Sequence, residues 1–328
     1  MAMFRMASVD QSSLVLSRRA FARTLAGAAL GRMCATAESN RPGRLEWGVE
    51  TAPARNFERH YRADAQVLLF GMPLLHREGV GGGSVLLREF DASNSTRLIE
   101  FTGFSTPQRA AGLNRMGYVR EMGRASGAGA AAECIYFGLM TASPEESAEE
   151  ARRALHPGAK EQTYTAIEGR TADGETATAI AHFTAPAALS GENRDELAER
   201  ARRALLSAQE VRTAASVGHT SNSFLQELAT LLMRSGQDEG RYIYSGRPYE
   251  MHLLRSLDGK ATAYFRARRL ISSPAEVVRV TGRVRREAGG KTTEFRLWIP
   301  TGAERPLPLR IEYQAKSYLN LIFEAPAG

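Results

Sequence analysis

Residues 276–300 read EVVRVTGRVRREAGGKTTEFRLWIP, and this stretch decides the fold. Apolar or small side chains alternate with polar ones from 278 to 285, which is typical of a half-buried β-strand, because successive strand residues point to opposite faces. Gly289-Gly290 can supply the positive φ angles of a tight hairpin turn. A two-residue loop there predicts the facing pairs Val284–Phe295, Gly282–Leu297, Val280–Ile299, Arg285–Glu294 and Arg283–Arg296.

The whole chain contains about twelve strand-like segments and three or four helical ones, without β–α–β alternation. Helices are predicted over 143–155, 193–207 and 224–233, and a turn at Asp258-Gly259 precedes a predicted strand over 260–271. The fold class is therefore α+β. Because a twisted sheet of this size tends to curl, we expect a large antiparallel sheet that forms a partly closed β-barrel, covered by the helices.

The N-terminus predicts export. Ser17-Arg-Arg-Ala-Phe-Ala-Arg23 matches the twin-arginine pattern, and a short apolar run and a small-x-small site (35–37) follow it. We interpret 1–37 as a signal peptide, 38–57 as a linker and 58–328 as one β-rich domain, with a first half (58–208) that carries a helical insert (107–208) and a closing half (209–328). The protein would then be periplasmic or secreted. The alternative is a disordered, arginine-rich N-terminus on a cytoplasmic protein.

Charge and cysteine content limit the partners. Five arginines in 1–37 account for much of the formal charge of +7, and no recognition motif accompanies the remaining charge, so we expect no nucleic-acid partner. The apolar run is far shorter than the ~20 residues of a transmembrane helix. The two cysteines and six histidines are scattered without metal-ligand spacing, so we expect no metal and no cofactor.

The apolar face of the predicted sheet is the leading candidate for a binding site. Its proposed lining would hold an envelope lipid or another amphiphile, or would simply pack on the amphipathic helix 224–233. The lining residues are Val67, Leu69, Val280, Val284, Phe295, Leu297, Leu309, Ile311 and Phe323.

The opposite face of the hairpin carries a stripe of arginines. Like charges that face each other are unfavourable unless something negative lies between them. Glu294 or Glu312 could provide that charge on an ordinary solvent face, while an anion, a lipid headgroup or a protein partner would make the stripe functional. The stripe consists of Arg279, Arg283, Arg285 and Arg296.

No catalytic set is recognisable. None of the six histidines has an identifiable acid–base partner, and no serine lies in a nucleophile-elbow context. The leading hypothesis is therefore a non-enzymatic protein that binds an apolar molecule. A structural or partner-binding protein with a filled core is the alternative, and an enzyme with a site within 107–208 is a third.

The segment from 224 to 324 resembles the closing half of a bacterial envelope family that is catalogued only as a domain of unknown function. The resemblance rests on a capped helix, on GRYIYSGRPYEMHLL (240–254) and on FRLWIPTGAERPLPLRIEYQAKSYLNLIFE (295–324). The strand around Gly71-Met-Pro73 is similar to the family's opening. The resemblance implies an exported β-rich protein, broadly similar to periplasmic lipoprotein carriers, and it supplies no catalytic residues. The helical insert over 107–208 departs from the family.

Overall fold

Fourteen strands form one antiparallel sheet in the computed structural model, which describes residues 54–69, 72–90, 96–110, 114–124, 133–141, 161–172, 175–214, 222–234, 236–290, 292–316 and 319–327. Three α-helices accompany the sheet in these ranges: α1 (Arg194–Leu206), α2 (Phe224–Met233) and α3 (Gly259–Ala267). The α+β class and the antiparallel sheet are thus confirmed.

The strands follow one another closely along the chain. Their bounds are β1 Arg55–Leu69, β2 Met72–Glu89, β3 Thr96–Ser105, β4 Met116–Arg124, β5 Glu133–Thr141, β6 Glu161–Ala172, β7 Glu175–Pro186, β8 Glu210–Ala214, β9 Glu239–Tyr244, β10 Arg247–Leu257, β11 Val277–Arg286, β12 Thr293–Pro300, β13 Arg310–Lys316 and β14 Leu319–Glu324.

The strand order places the first and last strands in the middle of the sheet. The order is β8-β7-β6-β5-β4-β3-β2-β1-β14-β13-β12-β11-β10-β9, so two meanders meet where β1 pairs with β14. β8 and β9 are the two edges, and no hydrogen-bonded pairing of the described residues joins them. The sheet is therefore open, and its closure into a barrel stays a prediction.

The helices divide between the two faces of the sheet. On one face, α1 packs on β6 and β7, and α3 packs on β11. α2 lies on the other face, because Val277 packs with Phe265 of α3 while Val280 packs with Leu231 of α2. Val277 and Val280 are three residues apart in β11, so the alternation of a strand places their side chains on opposite faces.

The central hairpin has a longer turn than the sequence predicts. β11 ends at Arg286 and β12 begins at Thr293, and the observed pairs are Val280–Leu297, Gly282–Phe295, Val284–Thr293, Arg283–Glu294 and Thr281–Arg296. The predicted register is wrong by two residues. Since the side-chain period of a strand is two, the apolar face is still the predicted one.

The segment after Asp258 is a helix and not the predicted strand. The Asp258 carboxylate accepts a hydrogen bond from the Ala261 amide at 3.0 Å, and the residue acts as the N-cap of α3. An aspartate can start either a turn or a helix. The burial of Phe265 and Thr262 favours the helix here.

The described strands extend into two of the predicted segments. β1 begins at Arg55, inside the predicted linker (38–57), because Arg55 to Phe57 pair with Glu89 to Leu87 of β2. The predicted insert (107–208) largely continues the sheet as β4 to β7, with α1 packed on it. The predicted signal peptide (1–37) and the predicted helix 143–155 lie outside the described residues.

Candidate functional site

Helix α2 contacts strands that are far apart in the order of the sheet. It packs on the edge strand β9 and also on β3 and β4 in the other half. Phe224 meets the rings of Tyr242 and Phe295 edge to face, with centroids 5.5 and 5.9 Å away. Leu231 is fully buried in the same apolar cluster, in which Met251 and others also take part. This face of the sheet therefore has a core centred on α2.

The N-terminus of α2 is held by Glu121, a fully buried residue of β4. Its Oε2 accepts hydrogen bonds from the backbone amides of Leu225 at 2.7 Å and Gln226 at 3.0 Å, and from the hydroxyl of Ser223. A carboxylate at this position satisfies amides that have no partner within the helix, and it interacts favourably with the helix dipole. Glu121 thus fixes where α2 begins against the sheet.

The carboxyl of Glu121 titrates near neutral pH. Burial raises the pKa of Glu121 to about 7, although its hydrogen bonds from Ser223, Gln226 and Leu225 act in the opposite direction. Its second oxygen, Oε1, has no hydrogen-bond partner among the described residues. The protonated acid is therefore present in a large fraction of molecules near pH 7.

Cys134 forms a buried polar group with Glu121 and Ser223. Its Sγ lies 2.9 Å from Ser223 Oγ, and since that hydroxyl donates to Glu121, the thiol donates to the hydroxyl. Burial, together with the negative charge of Glu121, raises the pKa of Cys134 to about 12. A thiol that stays protonated and is 1% exposed is a poor nucleophile. The group therefore positions α2 and provides no catalytic residue.

An open depression of about 390 Å³ lies at the C-terminal end of α2. α2 provides Leu232 and Met233, and the strands provide Val280 and Ile299. Its volume lies within the ~300–1,000 Å³ typical of small-molecule sites. The remaining lining residues are Arg255, Val278, Pro300, Ala303, Glu304, Arg305 and Pro306.

Both guanidinium groups of the depression are held by other parts of the protein. Arg255 donates to the Leu231 carbonyl at 2.6 Å and pairs with Asp238. Arg305 forms a bidentate ion pair with the fully buried carboxylate of Glu89, with both N–O distances 2.5 Å. The charges of Arg255 and Arg305 are therefore largely compensated by these partners.

The predicted apolar lining divides among three places. Val280, Val284, Phe295 and Leu297 are buried together in the α2 cluster, and Ile311 packs against it. Phe323 belongs to a neighbouring cluster on β1 and β14.

Leu309 does not belong to this lining. Leu309 packs with the residues beneath α3. Its amide donates a hydrogen bond to the Trp298 carbonyl, and this bond holds Leu309 on the face of the sheet opposite to α2. Val67 and Leu69 lie in β1, where Val67 faces Leu75 and Leu319, but their side chains are outside the described residues. Among the predicted lining residues whose side chains the structure describes, only Val280 also lines the depression.

The predicted arginine stripe is paired with carboxylates. Glu294 lies 3.4 Å from Arg283 and 3.1 Å from Arg296, and Glu312 lies 3.6 Å from Arg296. Arg285 pairs with Glu250 at 2.9 Å. The hydrogen bond from the Ala261 amide is the main cause that lowers the pKa of the Asp258 carboxyl, and the charge of Arg279 adds to this lowering. These ion pairs favour an ordinary solvent face, and an anion site on it stays an untested prediction.

The histidines that the structure describes occupy exposed positions of β-strands. His182 contacts Thr165 at 3.0 Å, whereas His76, His252 and His60 lie near single carboxylates at 3.4–3.5 Å. No group of three or more histidine, cysteine, aspartate or glutamate residues in these ranges could hold a metal ion.

Sequence reasoning missed Glu121 and the depression. The signal for Glu121 is weak but real, since an acidic residue stands in β4 where the alternation requires a residue that faces α2. The depression depends on the 301–309 loop, which the hydrophobic pattern does not place.

The fold and the site define an α+β protein that carries one open antiparallel sheet, a central helix held by a buried carboxyl, and a depression of mixed apolar and polar lining beside that helix. In that part of the chain which the structure describes, no helix has the length and hydropathy needed to cross a membrane. Comparisons with protein-family models, with curated proteins and with solved structures found no match to the chain.

Proposed function

We propose that this protein is a non-enzymatic binding protein that holds an apolar or amphipathic molecule in the depression at the C-terminal end of α2. The observation that carries the proposal is the mixed lining of the depression, in which apolar side chains of α2 and β11 stand beside two arginines that Asp238 and Glu89 engage. An amphiphile would place its chain against Leu232 and Val278, which are partly exposed, and its polar end at the exposed rim near Glu304.

The proposal includes a sheet that curls around α2 as a partly closed barrel. Two contacts support this curling. The rings of Tyr136 in β5 and Tyr244 in β9 contact each other at a tilt of 30° with centroids 5.4 Å apart, and the Ser245 amide donates to the Tyr136 hydroxyl at 3.2 Å. β5 and β9 are ten places apart in the strand order, so a flat sheet could not bring them together.

The edges of the sheet supply the second contact. A Cβ on Gly246, in the turn after β9, would lie 4.0 Å from the Cβ of Thr213 in the other edge strand, β8. A curled sheet of this kind can enclose one helix or one small ligand.

Native mass spectrometry of gently purified protein, followed by solvent extraction, tests the binding proposal. We expect a co-purifying species in the mass range of a lipid or similar amphiphile, which denaturation releases. Protein that is ligand-free and that also fails to bind a fluorescent fatty acid or N-phenyl-1-naphthylamine would contradict the proposal.

A structural or partner-binding protein is the second candidate. It is favoured by the aromatic packing of α2, since Phe224 and Leu231 already occupy the centre of this face. This candidate predicts that filling the depression changes neither ligand content nor probe binding.

Export is proposed from the sequence alone, with a periplasmic or secreted location. Replacing Arg18 and Arg19 with lysine should leave the precursor in the cytoplasm if the twin-arginine pattern acts as a signal. Normal secretion of that variant would contradict this route.

A further inference from the structure

The hairpin of β1 and β2 extends beyond the strands on either side of it. β1 pairs with β14 only as far as Val67, and β2 pairs with β3 only from Gly81 onward. The β1–β2 pairing continues beyond both points, to the pair Leu69–Met72. The end of this hairpin, where Leu68 and Leu69 pair with Pro73 and Met72, is therefore a two-stranded ribbon without neighbours among the described strands, and its β2 residues (72–75) are called the tip here.

The tip exposes apolar side chains on both of its faces. Met72, Leu74 and Leu75 are 66%, 68% and 59% exposed, and all residues from Met72 to Glu78 are exposed. Pro73 pairs with Leu68 and Leu75 pairs with Val67, which are successive residues of β1, so the exposed Pro73 and Leu75 lie on opposite faces, and Leu74 is the extra residue of a β-bulge between them. Water-exposed apolar side chains on both faces of one ribbon are unusual for a soluble surface and indicate an interaction site.

The base of the hairpin is fixed by a buried carboxylate. Asp64 is 6% exposed, and its Oδ1 accepts a hydrogen bond from the Gly79 amide at 2.6 Å. Its Oδ2 lies 3.4 Å from Arg62 and 3.5 Å from His76. The hairpin therefore leaves the sheet at a defined position, with its apolar end directed away from these polar groups.

The base also carries a surplus of positive charge. Arg77 and Arg109 are exposed and have no ion-pair partner among the described residues, and Arg109 Nη1 approaches Gly79. The two carboxylates nearby are already engaged, since Asp64 binds the hairpin backbone and Glu78 lies 3.6 Å from Arg62. An apolar end bordered by cations is complementary to a bilayer that has anionic headgroups.

We propose that the tip (72–75) inserts into the surface of an anionic lipid bilayer, with Arg77 and Arg109 against the headgroups. A second copy of the chain or another protein would place an apolar surface against one face of the ribbon. A bilayer can accept apolar side chains from both faces at once, and it also uses the adjacent cations.

Flotation with vesicles tests this proposal on the purified full chain. We expect the protein to float with vesicles of 25% phosphatidylglycerol and 75% phosphatidylcholine, and to float much less with phosphatidylcholine alone. The double variant Leu74→Ser/Leu75→Ser should lose at least tenfold in vesicle affinity. The matched control is Leu254→Ser/Leu257→Ser on β10, whose leucines are 59% and 66% exposed, and it should bind like the unmodified protein.

Two further variants separate the parts of the interaction. Arg77→Gln/Arg109→Gln should remove most of the preference for anionic vesicles. Leu74→Trp should show a blue shift of its fluorescence when vesicles are added, whereas Leu254→Trp should not.

Three results would overturn the proposal. The first is that the unmodified protein does not bind anionic vesicles. The second is that the Leu74/Leu75 variant binds as well as the control. The unmodified protein could also be a dimer that this variant converts to a monomer without any vesicle binding, in which case the tip is a contact between copies. Binding of an apolar probe in the depression should be the same in all these variants, so this test is independent of the proposed function.

Discussion

The ring of Phe295 lies directly against Gly282, its partner across the β11–β12 pair. A Cβ on Gly282 would be 2.1 Å from Phe295 Cζ, so only glycine leaves room for the ring. The same ring meets Phe224 of α2. This one contact therefore links the register of the central hairpin to the position of the helix.

Substitution of Gly282 with alanine should destabilise the protein. The added methyl group must displace the Phe295 ring from a packed cluster, and overpacking of this kind typically costs about 1–3 kcal/mol. Urea denaturation measures the loss. Gly117→Ala in β4 is the control, because a Cβ there has no atom within 4 Å. Equal effects in the two variants would show that the ring contact does not matter.

The ionisation of Glu121 should make stability depend on pH. Its folded-state pKa of about 7 lies above its ordinary value of 4.5, so the native state holds this proton more tightly than the unfolded chain does. Its stabilising contribution is complete below pH ~4.5 and is lost as the pH rises through ~7, a change of about 3 kcal/mol.

Replacement of Glu121 with glutamine isolates this contribution. Glutamine can keep an acceptor for the amides of Leu225 and Gln226 but does not titrate. The free energy of unfolding of the unmodified protein minus that of the variant should therefore fall between pH 5 and pH 8, as measured by urea denaturation at both values. A difference that stays constant, or that rises with pH, would contradict the raised pKa.

The buried ion pair of Glu89 and Arg305 should contribute more to stability than an exposed pair. Arg305→Leu leaves a carboxylate that is completely buried without its bidentate partner, a loss of about 3 kcal/mol or more. Arg203→Leu removes the exposed helical pair with Glu199 and should cost less than ~0.5 kcal/mol. Chemical denaturation of both variants compares the two losses of stability. Similar losses would contradict the prediction that Arg305→Leu leaves Glu89 as an unpaired buried charge.

A disulfide between the edges of the sheet tests its curling. The pair Thr213→Cys/Gly246→Cys, in a background without Cys34 and Cys134, should form a bridge under mild oxidation, because the two Cβ atoms lie 4.0 Å apart. Thr213→Cys/Gly236→Cys is the control, since Gly236 shares the positive φ but has no atom within 4 Å of its Cβ. Non-reducing electrophoresis detects the bridge, and its absence from the first pair would indicate that the edges are not held together.

The alternation of side chains predicted the strands but not their exact partners. The face of β11 that carries Val280 and Val284 could be predicted, because a period of two is unaffected by an error of two residues. The register itself depends on Gly282 and Phe295, a contact between strands that local patterns do not contain.

The remaining errors have a similar physical origin. Leu309 reads as part of an apolar strand, but it lies before β13 and faces α3, which was itself predicted as a strand. The role of Glu121 depends on the approach of α2 from more than 100 residues away in the chain. Such contacts between distant segments decide the site, whereas local periodicity decides only the class of fold.

Titration with N-phenyl-1-naphthylamine tests the central claim, that the depression beside α2 binds an apolar molecule. Ala303→Trp fills the depression from an exposed loop position without entering the core, and Ala188→Trp places the same side chain on an exposed turn after β7. The account predicts saturable binding to the unmodified protein and to the Ala188 variant, with at least a tenfold loss in the Ala303 variant. Equal binding by all three proteins, or binding by none, would contradict it.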